Sequence, residues 1–316
     1  MVFKPRGMQT NMERAFNTYS IRNEIESLPD MYQKALDATI GICEDLEIQN
    51  VEFLDRHFNL EELGDVKSKL EDSGITLFSL GSHAKLLVKQ KDLEEKVKEA
   101  RQWIEAAHTH GIPFVRFQMD SGNLPQLFPP FEDFDEEEWE EYHELIDAAI
   151  DQTRPSIDGI LALVEDTGVK IAIETHGSFS SNYVYMEKFV SEFDSKFIGW
   201  AYDIGNFEND EMRFKALDVL QGQIFYLHAK AYAFDDEGRE NSAKQIDFPR
   251  AAQILKDRGF EGQWSIEFEG NYNGILGTYQ TNEWIKYAFA QANGEAYTMQ
   301  TDFPSGKELA SKYKLN

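Results

Sequence analysis

Eight short β-rich runs alternate with helical segments along the chain, and that alternation limits the folds open to it. The runs lie near Thr18–Arg22, Asn50–Leu54, Ile75–Leu80, Ile112–Met119, Lys170–Glu174, Phe197–Asp203, Gln223–His228 and Gln263–Glu267. Between them, Asp30–Leu46 carries apolar residues at helical spacing. Asp92–His110 is amphipathic and stops at Gly111, Ser156–Thr167 stops at Gly168, and Phe248–Arg258 stops at Gly259. Glycine just past a helix is a left-handed cap signal. Strands that alternate with helices argue for a parallel sheet with helical crossovers, and eight of them close naturally into a barrel. The expected fold is α/β, a single (β/α)8 barrel over residues 1–316, a length ordinary for such a barrel with insertions.

Three segments depart from the repeat. Residues 1–15 read as an N-terminal extension and 295–316 as a polar, loosely held tail. Residues 120–154 read as an insertion after strand four, with a Pro-rich loop (Pro125 to Pro130) and then an acidic helix over Glu132–Asp151. Insertions at βα junctions sit over the active-site face of a barrel, so this one is expected to act as a lid, an oligomer contact or a solvated surface helix.

Composition narrows the function. The net charge of −26 repels phosphate backbones and anionic membranes, which argues against nucleic acid as a partner. One cysteine, Cys43, excludes a disulfide framework. No apolar stretch is long enough to span a membrane or to form a signal peptide. These features suggest a soluble cytoplasmic protein that acts on a small molecule, possible as a homo-oligomer.

The chemistry gathers at the ends of the last four runs. Glu174, Asp203, His228 and Glu267 each close a short apolar stretch, at intervals of 29, 25 and 39 residues. One strand-helix repeat fits each interval, so the four side chains should meet at the barrel mouth. Alternate strand residues share a face, which places small Ala172, Gly199, Ala201 and Ser265 beneath the ligands, with Tyr226 as the one large companion. Ile171, Ile173, Trp200, Tyr202, Trp264 and Ile266 fall on the helix-covered face. Three carboxylates and an imidazole form a hard, oxygen-rich donor set that favours Mn²⁺, with Mg²⁺ or Co²⁺ as alternatives, over structural zinc. Without a cation, like charges this close would push one another's pKa up.

Further polar groups share the mouth. His176, Lys230 and Glu269 lie two residues beyond a ligand, and Asn206 lies three beyond Asp203. His83 follows the third run. Arg22, Glu52 and Gln118 are candidates from earlier strands. Phe117, Tyr232, Phe268 and Tyr272 are aromatics that could stack on a sugar. His57, His108, His110 and His143 read as surface residues. The segment Gly270–Thr278 could form an amide-lined anion site, but no Lys or Arg follows before Lys286, which favours a neutral sugar.

Ile173-Glu174-Thr175-His176, Asp203-Ile204-Gly205-Asn206, Leu227-His228-Ala229-Lys230 and Ile266-Glu267-Phe268-Glu269-Gly270 resemble the xylose-isomerase-like TIM-barrel superfamily, the group of sugar phosphate isomerases and epimerases that also contains endonuclease IV. The resemblance is best from Lys170 to Thr281. It implies one divalent metal, most often Mn²⁺, on Glu174, Asp203, His228 and Glu267. It also implies proton shuttling by Glu174 and Glu267, a step that a metal-stabilised enediolate would serve, while His176, Asn206, Lys230, His83 and Glu269 are the candidate substrate contacts by their place at the mouth. Many members carry His where this chain has Asn206, and Asp where it has Ala231. The expected activity is sugar isomerisation or epimerisation. The alternative is a lyase acting on a keto-sugar, keto-inositol or 3-keto-glycoside. An apurinic endonuclease is opposed by the acidity and by the few mouth histidines, and a non-catalytic sugar-binding barrel by the intact ligand set.

Overall fold

The computed structural model describes residues 11–87, 90–119, 135–177, 179–220 and 222–315. Eight parallel strands close into one barrel in sequential order: β1 Glu13–Asn17, β2 Asn50–Leu54, β3 Thr76–Lys85, β4 Phe114–Gln118, β5 Lys170–Glu174, β6 Ile198–Asp203, β7 Ile224–Ala231 and β8 Gln263–Phe268. The helices are α1 Arg22–Ile25, α2 Met31–Leu46, α3 Leu63–Asp72, α4 Leu93–Thr109, α5 Glu136–Thr167, α6 Tyr183–Glu192, α7 Asp210–Val219, α8 Phe248–Asp257, α9 Gly274–Asn293 and α10 Gly306–Lys312. This is the expected (β/α)8 barrel.

Period-two alternation sorts the strand side chains into two cores. Ala15, Phe78, Ala172, Ala201 and Tyr226 fill the barrel interior, with Phe114 and Phe225 packed against them. Phe16, Ile171, Ile173, Trp200, Tyr202, Trp264 and Ile266 join the larger core between strands and helices. Burying a side chain of this size contributes roughly 1.5–3 kcal/mol, so a one-residue slip of any strand is heavily disfavoured. Register then carries alignment to the mouth. Asp203 pairs with His228, Lys230 with Glu267, Gln118 with Glu174, and Asn17 with Glu52.

The first strand lies earlier than its β-branched residues suggest. Thr18–Ile21 is a 3-10 turn, because the Asn17 side chain accepts the Tyr19 amide and ends the strand. Thr18 Oγ1 also accepts the Leu54 amide at 3.1 Å, which ties the turn to β2. The strand therefore begins at Glu13, inside the expected extension.

After β4 the loop of the expected insertion lies outside the described residues. The acidic helix and the Ser156–Thr167 helix are one continuous α5 with Pro155 inside it. An interior proline costs about 3 kcal/mol. Tyr142, Ile146 and Ile150 before it, and Ile157, Ile160 and Val164 after it, bury one stripe that offsets this cost. Gly168, with φ 75°, supplies the left-handed cap.

The tail is also held more firmly than its polarity predicts. Ser305 and Glu308 form a capping box for α10. Leu309, Ala310, Tyr313 and Leu315 are buried. Tyr313 and Lys312 both reach the Asp45 carboxylate on α2. Polar composition hid an apolar face only four residues wide. No helix among the described residues is long and apolar enough to cross a membrane.

Candidate functional site

At the carboxyl ends of β5 to β8 the four predicted residues converge. Glu174, Asp203, His228 and Glu267 are all buried, and one ligand atom from each lies within 4.8 Å of the others. His228 is oriented by its two ring nitrogens in different ways. Nε2 lies 2.8 Å from Glu52 Oε2 and donates to it. Nδ1 faces Glu267 Oε2 at 3.0 Å, Glu174 Oε1 at 3.5 Å and Asp203 Oδ2 at 4.0 Å. None of these is aligned as a hydrogen bond, and Nδ1 is buried without a partner. A buried imidazole nitrogen aimed into three carboxylates, with its opposite nitrogen fixed by a fourth, has the form of a metal-binding histidine.

Two buried cations offset part of the carboxylate charge. Arg116 on β4 donates to Glu52 Oε1 at 3.1 Å and to Glu174. Lys230 Nζ lies 2.7 Å from Asp203 Oδ2, 2.8 Å from Glu267 Oε1 and 3.2 Å from Glu269 Oε2. Lys230 has room for this because residue 205 is glycine. A Cβ there would sit 2.7 Å from the Lys230 stem.

Charge and burial compete at each group. Burial alone would raise the Glu174 carboxyl, but Arg116 overrides it and holds the pKa well below the usual range. Burial likewise opposes ionisation of Glu267, and Lys230 with His228 pulls it strongly down. Asp203 goes the other way. Burial pushes it up to about 7 despite Lys230. Burial disfavours charge on His228, yet Glu52 and Glu267 hold its pKa well above the ordinary value.

Above this floor lies a cavity of about 240 Å³. Glu174, Glu267, Lys230, His176, Glu269 and His83 line it. His176 Nδ1 is buried there without a partner. His83 Nδ1 donates to Asp55 Oδ1 at 2.6 Å, and its Nε2 faces the Arg56 guanidinium at 3.3 Å. Asn206 does not line the cavity. It donates to Asp203 Oδ2 at 2.7 Å and accepts from Lys230 at 3.1 Å. Gln118 lines the wall and reaches Glu174, whereas Arg22 is used up on the carbonyls of Tyr19 and Phe268.

Several expectations need correction. Phe117 and Phe268 pack in the outer core rather than at the mouth. Tyr232 donates to the Gly205 carbonyl, and Tyr272 packs on Phe268 with ring centroids 4.7 Å apart. The aromatic side chain that does line the cavity among the described residues is Tyr19. His57 is fully buried, bonded to Thr18 and Glu26, and is no surface residue. The expected anion site at the start of α9 is taken. The Gly274 amide donates to Glu24 at 2.7 Å, and the Leu276 amide to Asn273.

Asn17 and Arg116 are site residues that the sequence reading does not anticipate, whereas Tyr226 lies beneath the ligands as expected. Arg116 could have been found by period two, since Gln118 shares its face. Asn17 was hidden by the displaced first strand.

The model of the xylose isomerase-like TIM barrel matches residues 40–288. The chain belongs to that family. Among solved structures it is similar to a D-tagatose 3-epimerase-like protein, at 18% identity and a TM-score of 0.62, covering 90% of this chain and 99% of the other. A 3-keto-D-glucoside 4-epimerase from E. coli matches at 12% identity and 0.61, over 88% and 100%. A mannonate dehydratase from Streptococcus suis serotype 2 matches at 17% and 0.57, over 91% and 97%. No curated protein sequence matches the chain. Similarity at these identities speaks for the fold, and these structural neighbours include sugar epimerases and a dehydratase.

Proposed function

We propose that this xylose isomerase-like barrel is a divalent-metal-dependent sugar isomerase or epimerase. The observation that supports it most is the unpartnered Nδ1 of His228 facing Glu174, Asp203 and Glu267. The donor set fits a hard divalent cation, Mn²⁺ by preference and otherwise Mg²⁺ or Co²⁺. Glu174, Asp203, His228 and Glu267 would hold it. When bound, such an ion stabilises negative charge developing on substrate oxygens.

The chain's own residues supply the rest. Glu174 and Glu267, each kept ionised by a buried cation, would take a proton from the carbon beside a substrate carbonyl and return it. Return to the opposite face of the same carbon gives an epimer, and return to the neighbouring carbon gives the aldose–ketose isomer. Lys230 orients Glu267 and Asp203. Asn206 holds both Asp203 and Lys230. His176, His83 and Glu269 are offered to substrate hydroxyls from the cavity wall. The occupied start of α9 and the small cavity favour a neutral, monosaccharide-sized keto-sugar.

The test uses keto-sugars in D₂O with metal-depleted and Mn²⁺-loaded protein. Solvent deuterium should enter at the carbon next to the carbonyl only with metal, and Glu174→Gln or Glu267→Gln should abolish it. Full exchange in either variant refutes the assignment. Elimination is the second reading, favoured by His176, whose free Nδ1 could protonate a departing hydroxyl. Product mass separates the two, because loss of water or of an aglycone marks the lyase.

A further inference from the structure

Strand β2 contributes none of the four clustered donors, yet its Glu52 is the most densely bonded carboxylate beneath them. The side chain is wholly buried. Its Oε1 accepts from Tyr226 OH at 3.0 Å and Arg116 Nε at 3.1 Å. Its Oε2 accepts from His228 Nε2 at 2.8 Å and Asn17 Nδ2 at 3.3 Å. Two of those donors reach onward. Asn17 Nδ2 also donates to Glu267 Oε2 at 3.0 Å, and Arg116 also donates to Glu174. Glu52 therefore touches one member of the cluster and stands one side chain away from two more. Asp203 is held independently by Lys230, Asn206 and the Gly205 amide.

A buried carboxylate is costly unless its lone pairs are filled, and here four donors fill them. An imidazole that coordinates through one nitrogen must carry its proton on the other. A carboxylate accepting that proton fixes both tautomer and ring plane. We propose that Glu52 is a positioning residue for metal capture. It holds His228 with Nδ1 turned into the site, and through Arg116 and Asn17 it aligns Glu174 and Glu267. This rests on the metal-dependent reading above and assigns a role to the ligand-free half of the barrel.

The experiment is calorimetric titration of Mn²⁺ into metal-depleted full-length protein, for wild type, Glu52→Gln and Ser79→Ala. Ser79 touches the network only through Tyr226 OH. Glu52→Gln should weaken Mn²⁺ binding roughly 10–100-fold while far-UV circular dichroism stays native, and should change the visible absorption of the Co²⁺-loaded protein. A merely structural role would lower the melting temperature and leave that spectrum alone. Ser79→Ala should bind as wild type. Should Glu52→Gln fail to fold, Tyr226→Phe removes one donor while keeping the charge, and should still weaken binding severalfold. Wild-type protein that takes up none of Mn²⁺, Mg²⁺ or Co²⁺ overturns the metal reading and this inference together. Tight wild-type binding with an unaffected, folded variant overturns this inference alone.

Discussion

Replacing Arg116 by methionine tests whether the site's buried charges are balanced as the geometry indicates. The guanidinium is buried and bridges Glu52 and Glu174. Methionine matches much of its bulk but leaves both carboxylates without their shared cation. Removing one partner of a buried ion pair costs about 3–5 kcal/mol. Unfolding entropy of about 2.1 cal/mol/K per residue, over 316 residues, gives on the order of 0.7 kcal/mol/K. The melting midpoint of metal-free Arg116→Met should therefore fall by about 4–7 °C in EDTA. The loss should depend on pH. Without Arg116, a carboxyl now held well below its usual pKa rises above its unfolded value. A carboxyl raised in the folded state is destabilising when ionised, so the deficit should be full near pH 8 and shrink toward pH 5. Arg116→Lys keeps the charge but cannot bridge two carboxylates as a fork does, and should fall between. Differential scanning fluorimetry across pH reads all three proteins. An Arg116→Met midpoint within about 1 °C of wild type at pH 8 would refute the charge balance.

Other perturbations address separate parts of the molecule. Burial lowers the His57 pKa to about 4. The unfolded chain, titrating near 6.5, then binds the proton first. Stability should drop by up to about 3 kcal/mol as pH falls from 6.5 to 4, and His57→Gln should flatten urea-denaturation midpoints across that window. Gly205→Ala drives a methyl into the Lys230 stem. It should cost about 1–3 kcal/mol in thermal stability and reduce turnover by displacing the ammonium, and unchanged kinetics would count against the placement of Lys230. Leu309→Ala in the tail helix should cost about 2–4 kcal/mol by the same melt and leave Mn²⁺ affinity as it was, because Leu309 lies outside the cavity lining and α10 packs on α9 and α2.

The sequence made the barrel legible because two periods coincide. Period two along each strand and one strand-helix repeat between strand ends both survive in apolar patterning, and they place Glu174, Asp203, His228 and Glu267 together. Legibility failed where a polar side chain overrode propensity. Thr18–Ile21 has strand-forming residues, yet Asn17 caps a turn there and moves β1 back toward the N-terminus. Pro155 marks a boundary by local rules, but burial on both sides carries α5 through it. His57 looks like a loop residue, and only the fold brings Thr18 and Glu26 to its two nitrogens. Asn17 acts on its own neighbour Tyr19, but for Pro155 and His57 the deciding partners are tertiary and remote in sequence.

Arg116 lies on a strand that supplies none of the clustered donors, which bears on why the site is built this way. Strands β5 to β8 supply every clustered donor, while β1, β2 and β4 supply Asn17, Glu52 and Arg116. In the buried layer four carboxylates, Glu52, Glu174, Asp203 and Glu267, face two cations, Arg116 and Lys230. With His228 neutral and all four carboxylates ionised, as a bound metal would require, the layer would carry a formal charge of −2. A monovalent ion would leave it anionic in a low-dielectric interior, and a trivalent one would overshoot. A divalent ion would close the balance, and it would do so only because Arg116 already answers Glu52. On the metal-dependent reading, Glu52 and its guanidinium form one neutral unit on the ligand-free side, so His228 would be oriented by a charge without adding to the charge a metal would have to meet.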